Sequence, residues 1–467
     1  MKHLLPLKVN DLPKPLPLKK LIGPSFILLG LGLGSGELIL WPYLSSNYGM
    51  GIIWAAVLGI TFQFFINMEI ERYTIITGES IFVGLARKFG IFSPVWFILS
   101  TLLPWMWPGI IASSAKVFSS AFSIQYSGFL GIFLLILIGI LLSLGSVVYK
   151  TQELVQKLII IIGIPFIFIL TIYLAKASDW QQLFYGIAGK GNGFNFLPKG
   201  LPIATFLAAF AYAGAGGNLN LAQSLYAKEK GYGMGKYAGR ITNILKGHKE
   251  DVTLEGTTFE CTEENLKTFK TWWRRLNIEH GIVFWMTGAV TMLLLSLLAY
   301  STVYGNSGVE TSINFVINEG AVIAQKTFSV IGKLFLLTAA VMLFGTQFSV
   351  LGSTSRIMAE NLVIYSPDKF KIEKISKYFF LFLWLQITAG IIIFSLGFTE
   401  PLALVITGAV LNAISMFVYT GMVLFLNSKS LKKPLRPSSF RFLIVFCSFL
   451  FYGFFSIYTI LQKLNVL

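Results

Sequence analysis

"GLGLGSGELILWP", residues 30–42, places one carboxylate, Glu37, beside four glycines in a run otherwise fit to cross a membrane. A glutamate in the bilayer is costly unless something compensates it, and glycines weaken the helix that carries it. Either the segment is poor membrane material or it is built around a site. The rest of the chain decides between the two.

Of the 467 residues, 55% are hydrophobic and only 12% charged, with a mean hydropathy of +0.72. A soluble protein of this length needs more surface charge, so the class is all-α polytopic membrane protein. Runs of about 20 apolar residues, the length that crosses a bilayer, occur eleven times. They lie near 21–45, 51–75, 93–120, 127–148, 154–175, 200–226, 278–303, 325–354, 377–398, 400–427 and 440–462. The first twenty residues, "MKHLLPLKVNDLPKPLPLKK", are proline-rich and basic with no signal-peptide core, and read as a cytoplasmic tail. Cys261 and Cys447 lie too far apart to suggest a disulfide framework or a zinc site.

The net charge of +16 is topological. Of the 37 Lys and Arg residues, 30 fall in the tail and in alternate connecting segments: 72–88, 150–157, 228–275, 356–377 and 429–441. That satisfies the positive-inside rule with the N-terminus in the cytoplasm and the C-terminus, "LQKLNVL", outside. The expected organisation is a tail (1–20), spans 1–6 (21–226), a cytoplasmic loop (227–277) and spans 7–11 (278–462), set in the cell (inner) membrane. No nucleic-acid partner is implied; the partners are the bilayer and a small ion or molecule. Most of the long loop reads as a solvated linker lying on anionic lipid. "TEENLKTFKTWWRRL" within it, with a capping threonine, early acids and late bases, predicts an amphipathic surface helix.

Irregular backbone is tolerated in a bilayer only where it is buried in protein or lines a cavity. Span 1 has the glycine cluster ending in Gly34, Ser35, Gly36 and Glu37. Span 6 has "FAYAGAGGNLNLAQSLY", in which Tyr212, Ala215, Gly216 and Gly217 precede Asn218, Asn220 and Gln223. Glycine-interrupted helices five spans apart are what a transporter built from two inverted five-helix repeats places at its midplane site. Unwinding frees carbonyls for a cation, and Glu37 adds a full negative charge. The plain alternative is that the glycines are close-packing positions, that Glu37 caps a half-helix, and that the amides bond between helices.

At these residues the chain resembles the Nramp (natural resistance-associated macrophage protein) metal-ion transporters, in a divergent branch. "GPSFILLGLGLGSGELILWP" stands where that family has its "GPG…DPGN" region, and "YGMGIIWAAVLGITFQFFINMEIERYTIITGES" is similar to its second helix. The resemblance implies a LeuT-like 5+5 inverted repeat with an eleventh helix. Its departures concern the cargo. The DPGN slots hold Gly34, Ser35, Gly36 and Glu37, so glycine replaces the metal-binding aspartate. The "MPH" slots hold Ala215, Gly216 and Gly217, which removes the soft thioether that favours transition metals. The tenth-helix glutamine slot holds Gly408, with Asn412 one turn on. The third helix offers Lys116 in place of acidic proton carriers. The remaining oxygen donors, with Glu37 and Asn218 as candidate metal ligands, suit a hard cation such as Mg²⁺. The alternative is a proton- or cation-coupled carrier of a small organic solute.

Lys116 reads either as snorkelling outward or as a coupling cation. Glu69 and Arg72 in "NMEIER" read as an inner-gate ion pair, and Gln347, Gln386 and Asn412 as path-lining or helix-bridging groups. Trp105 and Trp107, between Pro104 and Pro108, either kink span 3 or fill volume. His3, His248 and His280 lie in the tail, in the loop or at a span boundary, away from any expected relay. No Walker-type loop and no convergent acid, base and metal set is present, so the expectation is a secondary transporter, for which a monomer suffices, without cofactor and not an enzyme.

Overall fold

The computed structural model describes residues 4–21, 23–144, 148–238, 253–305 and 312–465; His3 and His248 lie outside these. Among the described residues, nine helices are long and apolar enough to cross a membrane. They are α1 (Pro24–Tyr48), α2 (Met50–Thr77), α3 (Phe92–Ala121), α5 (Val148–Leu174), α7 (Glu263–Val303), α8 (Ser329–Tyr365), α9 (Ile375–Ser395), α10 (Pro401–Ser430) and α11 (Ser439–Lys463). A shorter apolar helix, α4 (Gly128–Leu144), and an interrupted one, α6 (Ile203–Ala211 and Ala222–Lys230), complete the series.

α1 is the axis of the bundle. Its most apolar stretch is 100% buried, against 33% for α11 at the periphery. The glycines explain how a helix can sit there: they let it pack backbone to backbone. A Cβ at Gly32 would lie 2.6 Å from the Gly214 carbonyl oxygen, and one at Gly36 only 1.6 Å from that of Tyr212. Thr346 of α8 ties down the same turn, accepting from the Gly34 amide at 2.9 Å and donating to the Gly30 carbonyl at 2.9 Å.

The expected break in span 1 is absent. Leu33–Leu40 is wound as a π-helix, and the rod continues on either side. The wider turn keeps backbone bonding inside the segment while accommodating the glycines. α6, by contrast, does break: helix ends at Ala211, Gly216 and Gly217 take φ of 77° and 53°, and a 3₁₀ turn (Gly217–Leu221) restarts the chain. The left-handed φ values require glycine there. α3 is interrupted as well, between Trp105 and Gly109, around Pro104 and Pro108.

The amphipathic helix is real but is not a separate surface element. It starts at Glu263, capped by Thr262, and runs through a π-turn (Gly281–Met286) into the body of α7. The described end of the long loop is not a solvated linker, because Phe259, Phe269 and Trp272 are buried. What they bury against is partly the tail. Lys8–Val9 pairs in parallel with Thr257–Thr258. Trp272 Nε1 donates to the Pro13 carbonyl at 2.7 Å, and Arg275 to those of Pro15 and Leu16 at 2.9 and 2.7 Å.

Candidate functional site

The break in α6 is held open by a residue on α2. Gln63 Nε2 donates to the Ala211 carbonyl at 3.0 Å, and its Oε1 accepts from the Gly216 amide at 3.2 Å. One side chain thus satisfies both lips of the interruption, replacing the helical bonds that unwinding removes. Gln63 was not among the expected site residues. In sequence it is one polar residue in the apolar first half of its span, with nothing local to mark its partners.

Around the break the side chains are neutral and aromatic. Tyr212 stacks on Trp105, ring centroids 5.4 Å apart at 13°, so the tryptophan at the α3 interruption faces the α6 interruption. Asn412 Nδ2 of α10 donates to the Tyr212 hydroxyl at 2.9 Å. Asn218 Nδ2 donates to Ser100 Oγ at 2.8 Å and Thr101 Oγ1 at 2.9 Å, both on α3. Gly408 lies beside the same tyrosine, a Cβ there falling 3.6 Å from its hydroxyl oxygen. The amide oxygens of Asn218 and Asn412 are buried without hydrogen-bond partners, as is Ser35 Oγ. Gly216, Gly217, Tyr212, Asn218, Asn412 and Gly408 therefore come together. Ala215 is buried in the broken segment, and Gly34 and Gly36 serve packing against α8 and α6.

Glu37 points elsewhere. Its neighbour Gly36 faces α6, and Glu37 itself lies against α7, where a Cβ at Gly288 would sit 3.4 Å from its Oε1. Both carboxylate oxygens are buried and unpartnered. Asn218 is hydrogen-bonded to α3, whereas Glu37 lies against α7 without a partner. Among the described residues no three His, Cys, Asp or Glu side chains converge as metal ligands would.

Glu69 and Arg72 do form an ion pair, at 2.7 Å, inside a larger network. Arg441 of α11 reaches Glu69 Oε1 at 3.4 Å, Asn427 of α10 donates to the Glu69 carbonyl at 2.7 Å, and the Arg72 guanidinium covers the Trp273 ring at 3.9 Å. The pair therefore joins α2, α7, α10 and α11 on the tail side. Lys116 turns away from the bundle centre. Its Nζ donates to Ser312 Oγ at 2.9 Å and lies 3.7 Å from Glu400 Oε2, at the start of α10 on the opposite face. Gln347 is buried on α8 beside Thr346, and Gln386 bridges α9 to α8 through Thr354 and Ser355. Asn220 donates to Tyr419 of α10, an interhelical bond. His280 is not at an open boundary. The π-turn of α7 carries its ring inward, fully buried, onto Ser25 of α1.

The same architecture is found in proteins of known structure. One is a manganese transporter from Eremococcus coleocola, 11% identical, with a TM-score of 0.72 over 98% of this chain and 91% of that one. Another is a nucleobase-cation-symport-1 family transporter in a closed conformation with bromovinylhydantoin bound, 11% identical, with a TM-score of 0.57 over 97% and 96%. The fold is LeuT-like. The chain is accordingly a multi-pass membrane protein, and at this identity the likeness is one of fold. No family model and no curated protein matches the sequence.

Proposed function

We propose that the protein is a secondary transporter, not an enzyme, that works by alternating access around the interrupted α6. Its ten core helices form two inverted repeats with α11 outside them, and its tail and long loop face the cytoplasm. The observation that carries this reading is the combination of a helix held open by Gln63 with buried amide oxygens at Asn218 and Asn412 that have no partner. Buried polar atoms in a bilayer are normally paired, and a bound cargo supplies the missing partners.

The site's chemistry favours a small polar organic solute. Its donors and acceptors are amides and hydroxyls, its wall is the Trp105–Tyr212 stack, and no carboxylate bonds to any of them. Neutral oxygens alone compensate a dication poorly. Glu37, charged or protonated between α1 and α7, is then the coupling group for a proton or cation. A second reading, transport of a hard divalent cation such as Mg²⁺, is favoured by the unpaired Glu37 carboxylate and by the shared fold with a manganese transporter.

A thermal-shift screen of purified protein against small metabolites and divalent metals, followed by proteoliposome uptake of each hit, tests both. The solute reading expects a metabolite hit lost in Asn218→Ala and retained in Glu37→Gln. The metal reading expects a Mg²⁺ shift that Glu37→Gln removes. Folded wild-type protein that accumulates neither class would overturn the transport reading.

A further inference from the structure

A second buried polar group lies on the tail side of the bundle, where α1, α2, α6 and α7 meet. Ser25, in the first turn of α1, donates through Oγ to Glu279 Oε2 at 2.6 Å, and the same oxygen lies 2.8 Å from His280 Nδ1. A serine hydroxyl has one hydrogen. With that hydrogen on Glu279, the His280 contact must be a bond donated by Nδ1–H. The chain also runs the other way: a protonated Glu279 donates to Ser25, and Ser25 donates to an unprotonated Nδ1. Three groups in line thus support two hydrogen-bond directions that differ by the place of one proton. We propose that Glu279, Ser25 and His280 form a proton-transfer relay, distinct from the Asn218–Asn412 site. The inference rests on the transport reading for its purpose and on this geometry for its existence.

Its outer atoms are not engaged by other side chains. Glu279 Oε1 and His280 Nε2 are buried and without partners. Glu71 on α2 acts electrostatically on Glu279, and so does Lys230 at the end of α6, which pairs with Glu153 of α5 at 3.6 Å. Gln223 of α6 donates Nε2 to Glu71 at 3.3 Å, leaving its own Oε1 buried and unpaired beside that carboxylate. Asn67, one turn before Glu71 on α2, has both amide atoms buried and unpaired. Acceptors and donors with spare valence therefore gather around two carboxylates. The imidazole is held in plane between Phe64 and Phe284, at centroid distances of 5.6 and 4.7 Å, so its ring nitrogens cannot swing away.

The step is a simple exchange. The proton on Glu279 moves to Ser25 Oγ as the serine's own hydrogen moves to His280 Nδ1, leaving Glu279 a carboxylate and His280 an imidazolium. The reverse exchange returns the hydrogen from Nδ1 through Ser25 Oγ to Glu279 and restores the neutral pair, so the three groups share one proton without gaining or losing any. Ser25 and Glu279 stand on different helices. Any motion of the first half of α1 against α7 breaks the line and stops the transfer.

Infrared difference spectroscopy of the full-length purified protein during a pH titration reads this without a cargo. The proton itself is the probe. In wild type, a carboxyl C=O band and an imidazole ring band are expected to change together. Glu279→Gln should remove the carboxyl band. Ser25→Ala should separate the two titrations, and Ser25→Thr, which keeps the hydroxyl, should rejoin them. If Glu279→Gln does not fold, the Ser25 pair carries the test. Titrations that stay joined in folded Ser25→Ala, or a carboxyl band unchanged in folded Glu279→Gln, would overturn the relay. Joined wild-type titrations in a protein that takes up no solute or metal would sink the transport reading and keep the relay. Uptake without joined titrations would do the reverse.

Discussion

At the scale of single residues, two side chains carry opposite burdens. Gln63 is fully satisfied, and its loss is purely structural: Gln63→Leu leaves the Ala211 carbonyl and Gly216 amide unpaired in a buried break. Each orphaned group costs about 1–3 kcal/mol, so the variant should show a clearly lowered unfolding midpoint in detergent. A midpoint equal to wild type would mean that the break closes without its clamp. Glu37 is unsatisfied, and under the proposed coupling role its loss is functional. Glu37→Gln keeps size and hydrogen bonding, removes the charge, and relieves a buried carboxylate that sits against Gly288. Stability should hold or rise while uptake loses its dependence on a pH or cation gradient. Coupled uptake unchanged in the folded variant would leave Glu37 a packing residue. Glu37, Asn218 and Asn412 were legible in sequence because strong polar groups stand out in apolar runs. Gln63 stands out equally, but its role lies in pairing with two backbone atoms about 150 positions away, which no local pattern carries. The Ser25–His280 contact is hidden for the same reason.

At the scale of elements, the glycine-rich runs in α1 and α6 look alike in sequence and differ in structure. What separates them is the φ that the backbone takes. Gly216 and Gly217 are left-handed and break α6, whereas the glycines of α1 stay helical and serve close approach. Composition shows that a segment is irregular; only packing shows whether irregularity becomes a gap or a widened turn. Among the described residues, nine of the expected apolar runs are helices long and apolar enough to cross a membrane, since length and apolarity are set by the bilayer and not by neighbours. The hydropathy pattern missed that α7 begins at Glu263 and runs unbroken into the apolar span, because Glu263–His280 is polar enough to read as a surface helix. The contrast between glycine roles gives a paired test. Gly36→Ala drives a methyl into the Tyr212 carbonyl, whereas Gly281→Ala meets only Phe64 at 3.9 Å with helical backbone. The first should destabilise by roughly 1–3 kcal/mol or more. The second should be neutral or gain up to about 1 kcal/mol in thermal unfolding. Equal behaviour of the two would contradict the α1–α6 contact.

At the scale of the whole molecule, the tail acts as a strap. Residues 8–16 are bonded along Thr257–Thr258, Trp272 and Arg275, and the chain then passes directly into α1. Tyr232 bonds the Leu21 carbonyl just before α1 begins. The start of α1 is thereby tied to the leading half of α7, the two elements that Ser25 and Glu279 also join. A carrier that rocks α1 must loosen this strap, so its release should favour the state open on the tail side. Arg275→Ala combined with Trp272→Phe removes three of the bonds while keeping an aromatic ring in the buried position. In the positive-inside orientation this face is cytoplasmic, and a single cysteine at Ser428, on the tail-side end of α10, reports the sidedness once free Cys261 and Cys447 are replaced by serine. The expected outcome has two parts. A membrane-impermeant thiol reagent should reach position 428 in inside-out vesicles and not in intact cells. In those vesicles, protease should clip the tail of the strap variant several-fold faster than that of wild type. Labelling in intact cells would invert the topology. Equal clipping rates would show that the strap is held by the strand pairing alone.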